Sequence, residues 1–119
     1  MLKPVLAFSA HHWRALSGLA LVALTLLSLM PMPAQGPVAG SDKVLHIMAW
    51  GLAVVPASLA LGRRALPVVL AFLAWSIAIE FLQPLSGRFL EMADMLANGA
   101  GLALGALSGM ALRRRPTRE

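Results

Sequence analysis

Three pairs of polar side chains interrupt the apolar runs of this sequence, each with the spacing of one helical face. Side chains three or four residues apart lie on the same side of an α-helix. Imidazole and carboxylate groups exchange protons near neutral pH, so pairs that meet could carry acid–base chemistry or hold a polar ligand. The pairs are Asp42 with His46, Glu80 with Gln83, and Asp94 with Asn98.

Glu80 is the most informative single residue, because it lies inside the apolar run 75–82. A charged side chain costs about 2.5–3.5 kcal/mol at the centre of a membrane helix and less near the interface. Such a residue normally faces the interior of a helix bundle and has a partner there. We therefore expect Glu80 to face inward, with His46 or Arg88 as its partner.

The elements that position these pairs are predicted to be membrane helices within one domain, residues 1–119. Hydrophobic residues make up 59% of the chain and charged residues 13%, whereas soluble domains have roughly 25% charged residues. A soluble core of this size could not bury so many apolar side chains, so lipid must cover part of the surface. The sequence has no cysteine, which excludes a disulfide framework.

Four segments have the composition of membrane-spanning helices, which need about 20 mostly apolar residues with about 17 as a lower limit. They cover about 13–30, 44–61, 65–82 and 93–112, and proline, glycine or arginine follows each of them. The predicted fold class is an all-α integral membrane bundle of four transmembrane helices. A cleaved signal peptide is the alternative for the first segment, but its apolar stretch is long for a signal and no small-x-small site follows.

The basic residues predict the orientation of this bundle. Eight of the ten Lys and Arg residues flank one end of the segments, and cytoplasmic loops carry the excess of such residues. We therefore expect both termini in the cytoplasm and the polar pairs at the outer side. The same distribution explains a pI of about 11.5 without nucleic-acid binding. The eight are Lys3, Arg14, Arg63, Arg64, Arg113, Arg114, Arg115 and Arg118, whereas Lys43 and Arg88 lie at the outer side.

Four of the five carboxylate side chains also fall at the outer side, which the orientation rule does not require. One interpretation is structural, since Asp42 and Asp94 open predicted helices, where a capping or dipole interaction favours an acid. The other is an outward-facing polar site, because capping does not explain Glu80, Gln83 or His46. The four carboxylates are those of Asp42, Glu80, Glu91 and Asp94.

A stripe of small residues runs along the fourth segment, where Gly101, Gly105 and Gly109 recur every four residues. Such a stripe lets a neighbouring helix backbone approach closely. A homodimer formed through this face is one interpretation. Close packing within the monomer is the other, and it is the one we favour.

The outer residues together resemble the VanZ-like family of small bacterial membrane proteins, over about residues 41–109. Each motif is short, but their order and spacing are shared with that family. Aromatic residues commonly follow the histidine in the family, whereas Ile47 and Met48 come first here and Trp50 later. The motifs are Ser41-Asp42-Lys43-Val44-Leu45-His46, Glu80-Phe81-Leu82-Gln83, Gly87-Arg88 and Asp94-Met95-Leu96-Ala97-Asn98, followed by Gly101 and Gly105.

The resemblance implies a multi-pass protein of the bacterial cytoplasmic (inner) membrane with a role in the cell envelope. The family is named for a member linked to teicoplanin resistance, and its activity is not established in general, so enzymatic activity stays open here. We take three residues as candidate catalytic groups and five as candidate substrate-binding groups. The first are His46, Glu80 and Asp94, and the second are Asp42, Lys43, Gln83, Arg88 and Asn98.

Three hypotheses follow for the polar site. The first is that it binds or modifies a lipid headgroup or a lipid-linked envelope precursor. The second is a non-enzymatic membrane interaction or assembly module whose polar cluster is structural. The third is metal binding by His46, Glu80 and Asp94, which we disfavour because their spacing matches no ligand signature and Lys43 and Arg88 would oppose a cation. No cofactor motif is present, so no cofactor is expected.

Overall fold

The computed structural model describes residues 2–30, 41–87 and 90–113. These residues are helical almost throughout, and no β-strand occurs among them, as the predicted all-α class requires. A 3-10 turn at Gly62–Ala65 joins α3 to α4, and a second at Gln83–Ser86 follows α4. The α-helices are α1 (Leu2–His11), α2 (Trp13–Leu29), α3 (Ser41–Leu61), α4 (Leu66–Leu82) and α5 (Met92–Arg113).

Helices α2 to α5 correspond to the four predicted segments, with no boundary more than three residues away from its predicted position. Helix α1 was not predicted, because a 10-residue helix is too short to span a membrane. It is bent by 80° against α2 and buries none of its side chains.

Helices α3 and α5 run parallel and side by side over their whole length. Near their first turns Lys43 contacts Asp94. At their last turns, the Arg113 guanidinium donates to the backbone carbonyl oxygens of Leu59, at 3.0 Å, and of Ala60. Carbonyls in the last turn of a helix lack intrahelical donors, so Arg113 caps α3 from the end of its neighbour.

Helix α4 runs antiparallel to both and packs mainly against α5, because the chain reverses at Gly62. The φ of Gly62 is +59°, a left-handed conformation that side chains with a Cβ rarely adopt. As a result Glu80, near the end of α4, lies close enough to His46 and Asp94 for their charges to act on it. Helix α2 is parallel to α4, since Thr25 and Ser28 bond Trp75 and Gln83 in the same order.

The four long helices form a ring in the order α2, α3, α5, α4. Helices α2 and α5 are diagonal to each other, and α3 and α4 approach each other only slightly. Neighbouring helices around the ring alternate in direction except for the parallel pairs α3–α5 and α2–α4. The starts of α3 and α5 and the ends of α2 and α4 therefore meet at one end of the molecule.

The glycine stripe of α5 lies against α3 of the same chain. A Cβ on Gly101 would overlap the carbonyl of Ile47, a Cβ on Gly105 would overlap that of Gly51, and one on Gly109 would lie 2.5 Å from the Ser58 Cβ. Only hydrogen at these positions allows the two backbones to touch. The stripe thus packs within the monomer, the interpretation we favoured, and a homodimer would have to use another surface than Gly101, Gly105 and Gly109.

Apolar side chains fill the core and also cover the outside. Trp50, Ile79 and Leu102 are at most 2% exposed. Each long helix also carries large apolar side chains with more than half of their surface exposed, which water would not tolerate in such number. Examples are Leu19 on α2, Leu52 on α3, Leu70 on α4 and Leu104 on α5.

By length and composition, two helical stretches among the described residues could cross a membrane. They are Lys43–Ser86, whose 44 residues include α4 and all but the first two residues of α3, and Met92–Arg113 with 22 residues. The bent pair α1 and α2 would add a third if it formed one span. Helix α2 by itself has 17 residues, at the lower limit for a span.

Candidate functional site

The predicted polar residues lie together at the end of the bundle where α3 and α5 begin and α4 ends. Helices with glycine-mediated backbone contact have a fixed register, so residues on the first turns of α3 and α5 face each other at defined distances. Helix α4 adds its last turns. Five of the eight predicted site residues are brought together in this way, and we call them, with Glu91, the polar cluster: Lys43, His46, Glu80, Glu91, Asp94 and Asn98.

Lys43 joins α3 to the start of α5. Its Nζ lies 2.6 Å from Oε2 of Glu91 and 2.5 Å from Oδ1 of Asp94. The Asp94 side chain is only 12% exposed, whereas that of Glu91 is 51% exposed. Asp94 is therefore the more buried of the two carboxylates that pair with Lys43. This favours a positioning role for Asp94 over the catalytic role predicted from the sequence.

His46 is paired with Asn98 across the same two helices. The His46 Nδ1 lies 2.7 Å from the Asn98 Oδ1, and Asn98 is 2% exposed. An amide oxygen can only accept, so the imidazole must donate through Nδ1. The neutral ring then has its lone pair on Nε2, which has no hydrogen-bond partner within the described part of the chain. His46 is thus held as an acceptor or base.

Glu80 is the deepest member of the polar cluster. The residue is 1% exposed, and its Oε2 has no hydrogen-bond partner among the residues that the structure describes. The charges of Asp94 and His46 act on the carboxyl, and the backbone of Glu91 contributes a hydrogen bond. The prediction that Glu80 faces the interior is therefore confirmed. Of its two expected partners, His46 is near enough for its charge to act on the carboxyl, and Arg88 lies outside the described residues.

Gln83 takes a different position from the one predicted. It is 3% exposed, and its Nε2 donates to the backbone oxygen of Ser28 at 3.1 Å. The amide thus ties the end of α4 to the end of α2 instead of joining the polar cluster. Gln83 directly follows the last residue of α4, so its side chain fixes the end of the helix that carries the buried acid.

Two further predicted residues cannot be located in the same way. Asp42 is in the first turn of α3, but its side chain lies outside the described part of the structure, and Arg88 lies outside the described residues altogether. Glu91, in contrast, belongs to the polar cluster and was not predicted as a site residue. The sequence signal that could have identified Glu91 is its position three residues before Asp94. Its backbone oxygen accepts from the Asp94 N–H at 3.1 Å.

Metal binding by His46, Glu80 and Asp94 gains no support from the geometry. Among the described residues, no group of three His, Cys, Asp or Glu side chains is arranged to hold a metal ion. Lys43 already forms ion pairs with two carboxylates of the cluster, those of Glu91 and Asp94.

A separate apolar groove of about 190 Å³ opens on the side of the bundle between α2 and α4. Thr25 and Trp75 lie in it and are joined by a bond of 2.8 Å from the indole Nε1 to the Thr25 Oγ1. The rest of its lining is aliphatic, with Leu21, Val22 and Leu26. Without a titratable group, this groove can accommodate a hydrocarbon chain but offers no chemistry.

Comparisons with known proteins do not identify this chain: no family model, curated protein sequence or solved structure gives a significant match. The resemblance to VanZ-like proteins is therefore based on the residues and their spacing alone.

Proposed function

We propose that the chain is a multi-pass protein of the bacterial cytoplasmic membrane, in which α2, α3, α4 and α5 each cross the bilayer. Two observations support this placement. Exposed leucines cover all four helices, and successive helices in the chain run in opposite directions, as successive membrane spans must. The polar cluster then lies at the outer surface, because Arg63, Arg64 and Arg113 lie at the opposite end.

Helix α1 fits the inner surface of such a membrane. It lies at 80° to α2, and Leu2, Val5 and Phe8, spaced three residues apart, are each more than half exposed. Lys3 and His11 lie on another side of the same helix. A helix with one apolar face, across the direction of a span, suits the headgroup region. The Arg14 guanidinium lies 5.5 Å from the Trp13 ring centre at the junction, as expected for an interfacial anchor.

The orientation can be tested cleanly because the chain has no cysteine. Single variants Leu85→Cys, at the polar end, and Arg64→Cys, at the arginine end, are exposed to a membrane-impermeant maleimide on intact cells. We expect labelling of the first and not of the second, with both labelled after lysis. The reverse pattern would overturn the orientation, and equal labelling of both would overturn the four-span topology.

The site itself is proposed to bind the polar headgroup of a membrane lipid or lipid-linked envelope precursor. The observation that supports this most is Glu80, buried in an apolar helix with one carboxylate oxygen unpaired. A buried polar atom without a partner costs about 1–3 kcal/mol. A ligand that donates to this oxygen would recover that free energy, which explains the presence of an unpaired acid. A purely structural cluster would instead provide an internal partner for the oxygen.

The arrangement also supports proton transfer on the bound headgroup. His46, with its lone pair on Nε2, can take a proton from water or from a ligand hydroxyl. Glu80, when protonated, can give one to a leaving oxygen, and Asn98 holds the imidazole in the required tautomer. Hydrolysis or group transfer on a headgroup fits these roles. Whether the protein is an enzyme or a binding protein is decided by whether the bound molecule is turned over.

The envelope setting of this proposal, including a role related to teicoplanin resistance, comes from the VanZ-like resemblance of the motifs. Five of the eight residues carried over from that family belong to the polar cluster: Lys43, His46, Glu80, Asp94 and Asn98. The chemistry proposed for them does not depend on the resemblance, since it follows from Glu80, His46 and Asn98.

The test is to identify what the protein retains. Native mass spectrometry of protein released from membranes is expected to show bound lipid or lipid-linked molecules. The variants Glu80→Gln and His46→Gln should lose them while keeping the melting temperature within a few degrees. Arg64→Gln, which removes a charge at the opposite end, is the matched control. If both site variants retain the same molecules as the wild-type protein, the headgroup site is wrong.

A structural module is the second candidate function, and the cross-helix bonds favour it. Lys43 with Asp94, His46 with Asn98, and Gln83 with the Ser28 backbone each join two different helices. In that case Glu80→Gln should raise the melting temperature, because it removes a buried acid, and should leave bound molecules unchanged. Loss of the bound molecules without a rise in melting temperature would instead support the headgroup site.

A further inference from the structure

We propose that the group recognised by the polar cluster is a cationic amine, of the kind carried by an ethanolamine headgroup, held between Glu80 Oε2 and His46 Nε2. This rests on the proposed headgroup site and names the chemical class of its ligand. A lipid headgroup and a free amine share this chemistry, and the experiment below separates them.

The charges of the polar cluster favour a cation. Three carboxylates, Glu80, Glu91 and Asp94, accompany one ammonium, that of Lys43. Among the described side chains of the cluster the acids therefore outnumber the single ammonium, and a bound cation would offset this excess.

The same excess of carboxylates disfavours a phosphate as the group held at the cluster. Lys43 already contacts two carboxylate oxygens at 2.6 Å and 2.5 Å, so a phosphate would have to compete with both of them. Lys43 is thus poorly placed to bind a phosphate. An incoming anion would also be repelled by the carboxylate that loses its contact with Lys43, and this repulsion is stronger where the effective dielectric constant is low.

The unpaired atoms specify the ligand further, because both of them are acceptors. Oε2 of Glu80 has no donor. Nε2 of His46 has none within the described residues, since Asn98 takes the Nδ1 proton. A primary ammonium has three N–H donors and one positive charge, so it satisfies both acceptors and the charge at once. A hydroxyl has one donor and no charge, so it would satisfy only one of the acceptors, and a quaternary ammonium would satisfy the charge only.

The experiment compares headgroups that differ in these two properties. The full-length protein is placed in nanodiscs that contain equal parts of phosphatidylethanolamine, phosphatidylcholine and phosphatidylglycerol with identical acyl chains. Lipids retained after release into the gas phase are then counted. We expect ethanolamine lipid to be enriched at least about tenfold over the glycerol lipid, with choline lipid between them. Glu80→Gln should reduce the ethanolamine enrichment to about twofold or less.

The outcomes distinguish this inference from the proposal on which it rests. Selective retention of the glycerol lipid, or of another amine-free molecule, that Glu80→Gln abolishes would overturn the amine and leave the headgroup site intact. Equal retention of all three lipids would overturn both. If Glu80→Gln fails to accumulate, the comparison of the three lipids retained by the wild-type protein still tests the inference. Soluble ethanolamine added in excess should displace the lipid if a free amine is sufficient, whereas lack of displacement assigns the intact lipid headgroup.

Discussion

The helix pairs α3–α5 and α2–α4 both run parallel, but they are held together differently. Along α3–α5 the backbones touch at three glycines of α5, and ion pairs or hydrogen bonds close both ends. Along α2–α4 the contact is sparse. Two side-chain hydrogen bonds, from Trp75 and from Gln83, join the helices beside an open apolar groove.

This difference shows how the polar cluster is positioned. Helices α3 and α5 form a close-packed platform that sets the distances between Lys43 and Asp94 and between His46 and Asn98. Helix α4 brings Glu80 to that platform, and α2 supports α4 mainly through Ser28. We therefore expect changes in the α3–α5 pair to affect the fold and the site together, and changes in the α2–α4 pair to have small effects on either.

The largest effect is expected from Gly105→Ala, which places a methyl group against the Gly51 carbonyl. The two backbones would have to separate, which should lower the free energy of unfolding by about 3 kcal/mol or more. Thermal unfolding followed by size-exclusion chromatography measures it. Gly99→Ala is the matched control on the same helix, because its Cβ would lie 3.7 Å from the Leu73 side chain. Similar losses from both variants would show that the backbone contact is not critical.

A smaller loss is expected from Lys43→Met, which removes the cation shared by two acids of the platform. Asp94 is only 12% exposed and would be left without its partner, so we expect a loss of roughly 1–2 kcal/mol. Urea unfolding in detergent at low and high salt measures it. Glu91→Gln removes the more exposed of the two partners and should cost less. If Glu91→Gln costs as much as Lys43→Met, Asp94 is not the main partner.

Asn98→Leu tests the part of the platform that holds the imidazole. Loss of one hydrogen bond should destabilise the protein by only about 1 kcal/mol, but His46 should no longer be confined to the Nδ1–H tautomer. Nitrogen-15 NMR of labelled histidine distinguishes the two tautomers, with His11 and His12 as internal references. An Nε2–H tautomer in the wild-type protein would contradict the assignment of His46 as a base.

The sequence predicted much of this arrangement because helical geometry is local. Pairs such as Glu80 with Gln83 lie near one another on a helix whatever the fold, and alternating spans bring the helix ends to one level. What could not be predicted is which side chains meet across helices. The contact of His46 with Asn98 depends on the register of α3 against α5, which the approach of Gly105 to Gly51 determines only in three dimensions.

The same limit explains the residues that sequence reasoning misplaced. Gln83 follows directly after α4 but bonds to α2, because the rotation of α4 about its axis depends on both of its neighbours. Helix α1 was missed because a short segment beside a long apolar one carries no span signal. Glu91 was missed because it precedes its helix, where no periodicity applies.

The smallest effect is expected from Trp75→Phe, which tests the looser pair, α2–α4. It removes the indole N–H that bonds Thr25 at 2.8 Å and keeps most of the ring. Side-chain hydrogen bonds between membrane helices contribute about 0.6 kcal/mol on average, and Trp75 is 43% exposed, so a loss of this order is expected. Trp50→Phe is the control: Trp50 is 2% exposed, so its truncation leaves a cavity in the core and should cost more. If Trp75→Phe costs as much as Trp50→Phe, the α2–α4 pair contributes to the fold as strongly as the platform does, and the contrast between the two pairs is wrong.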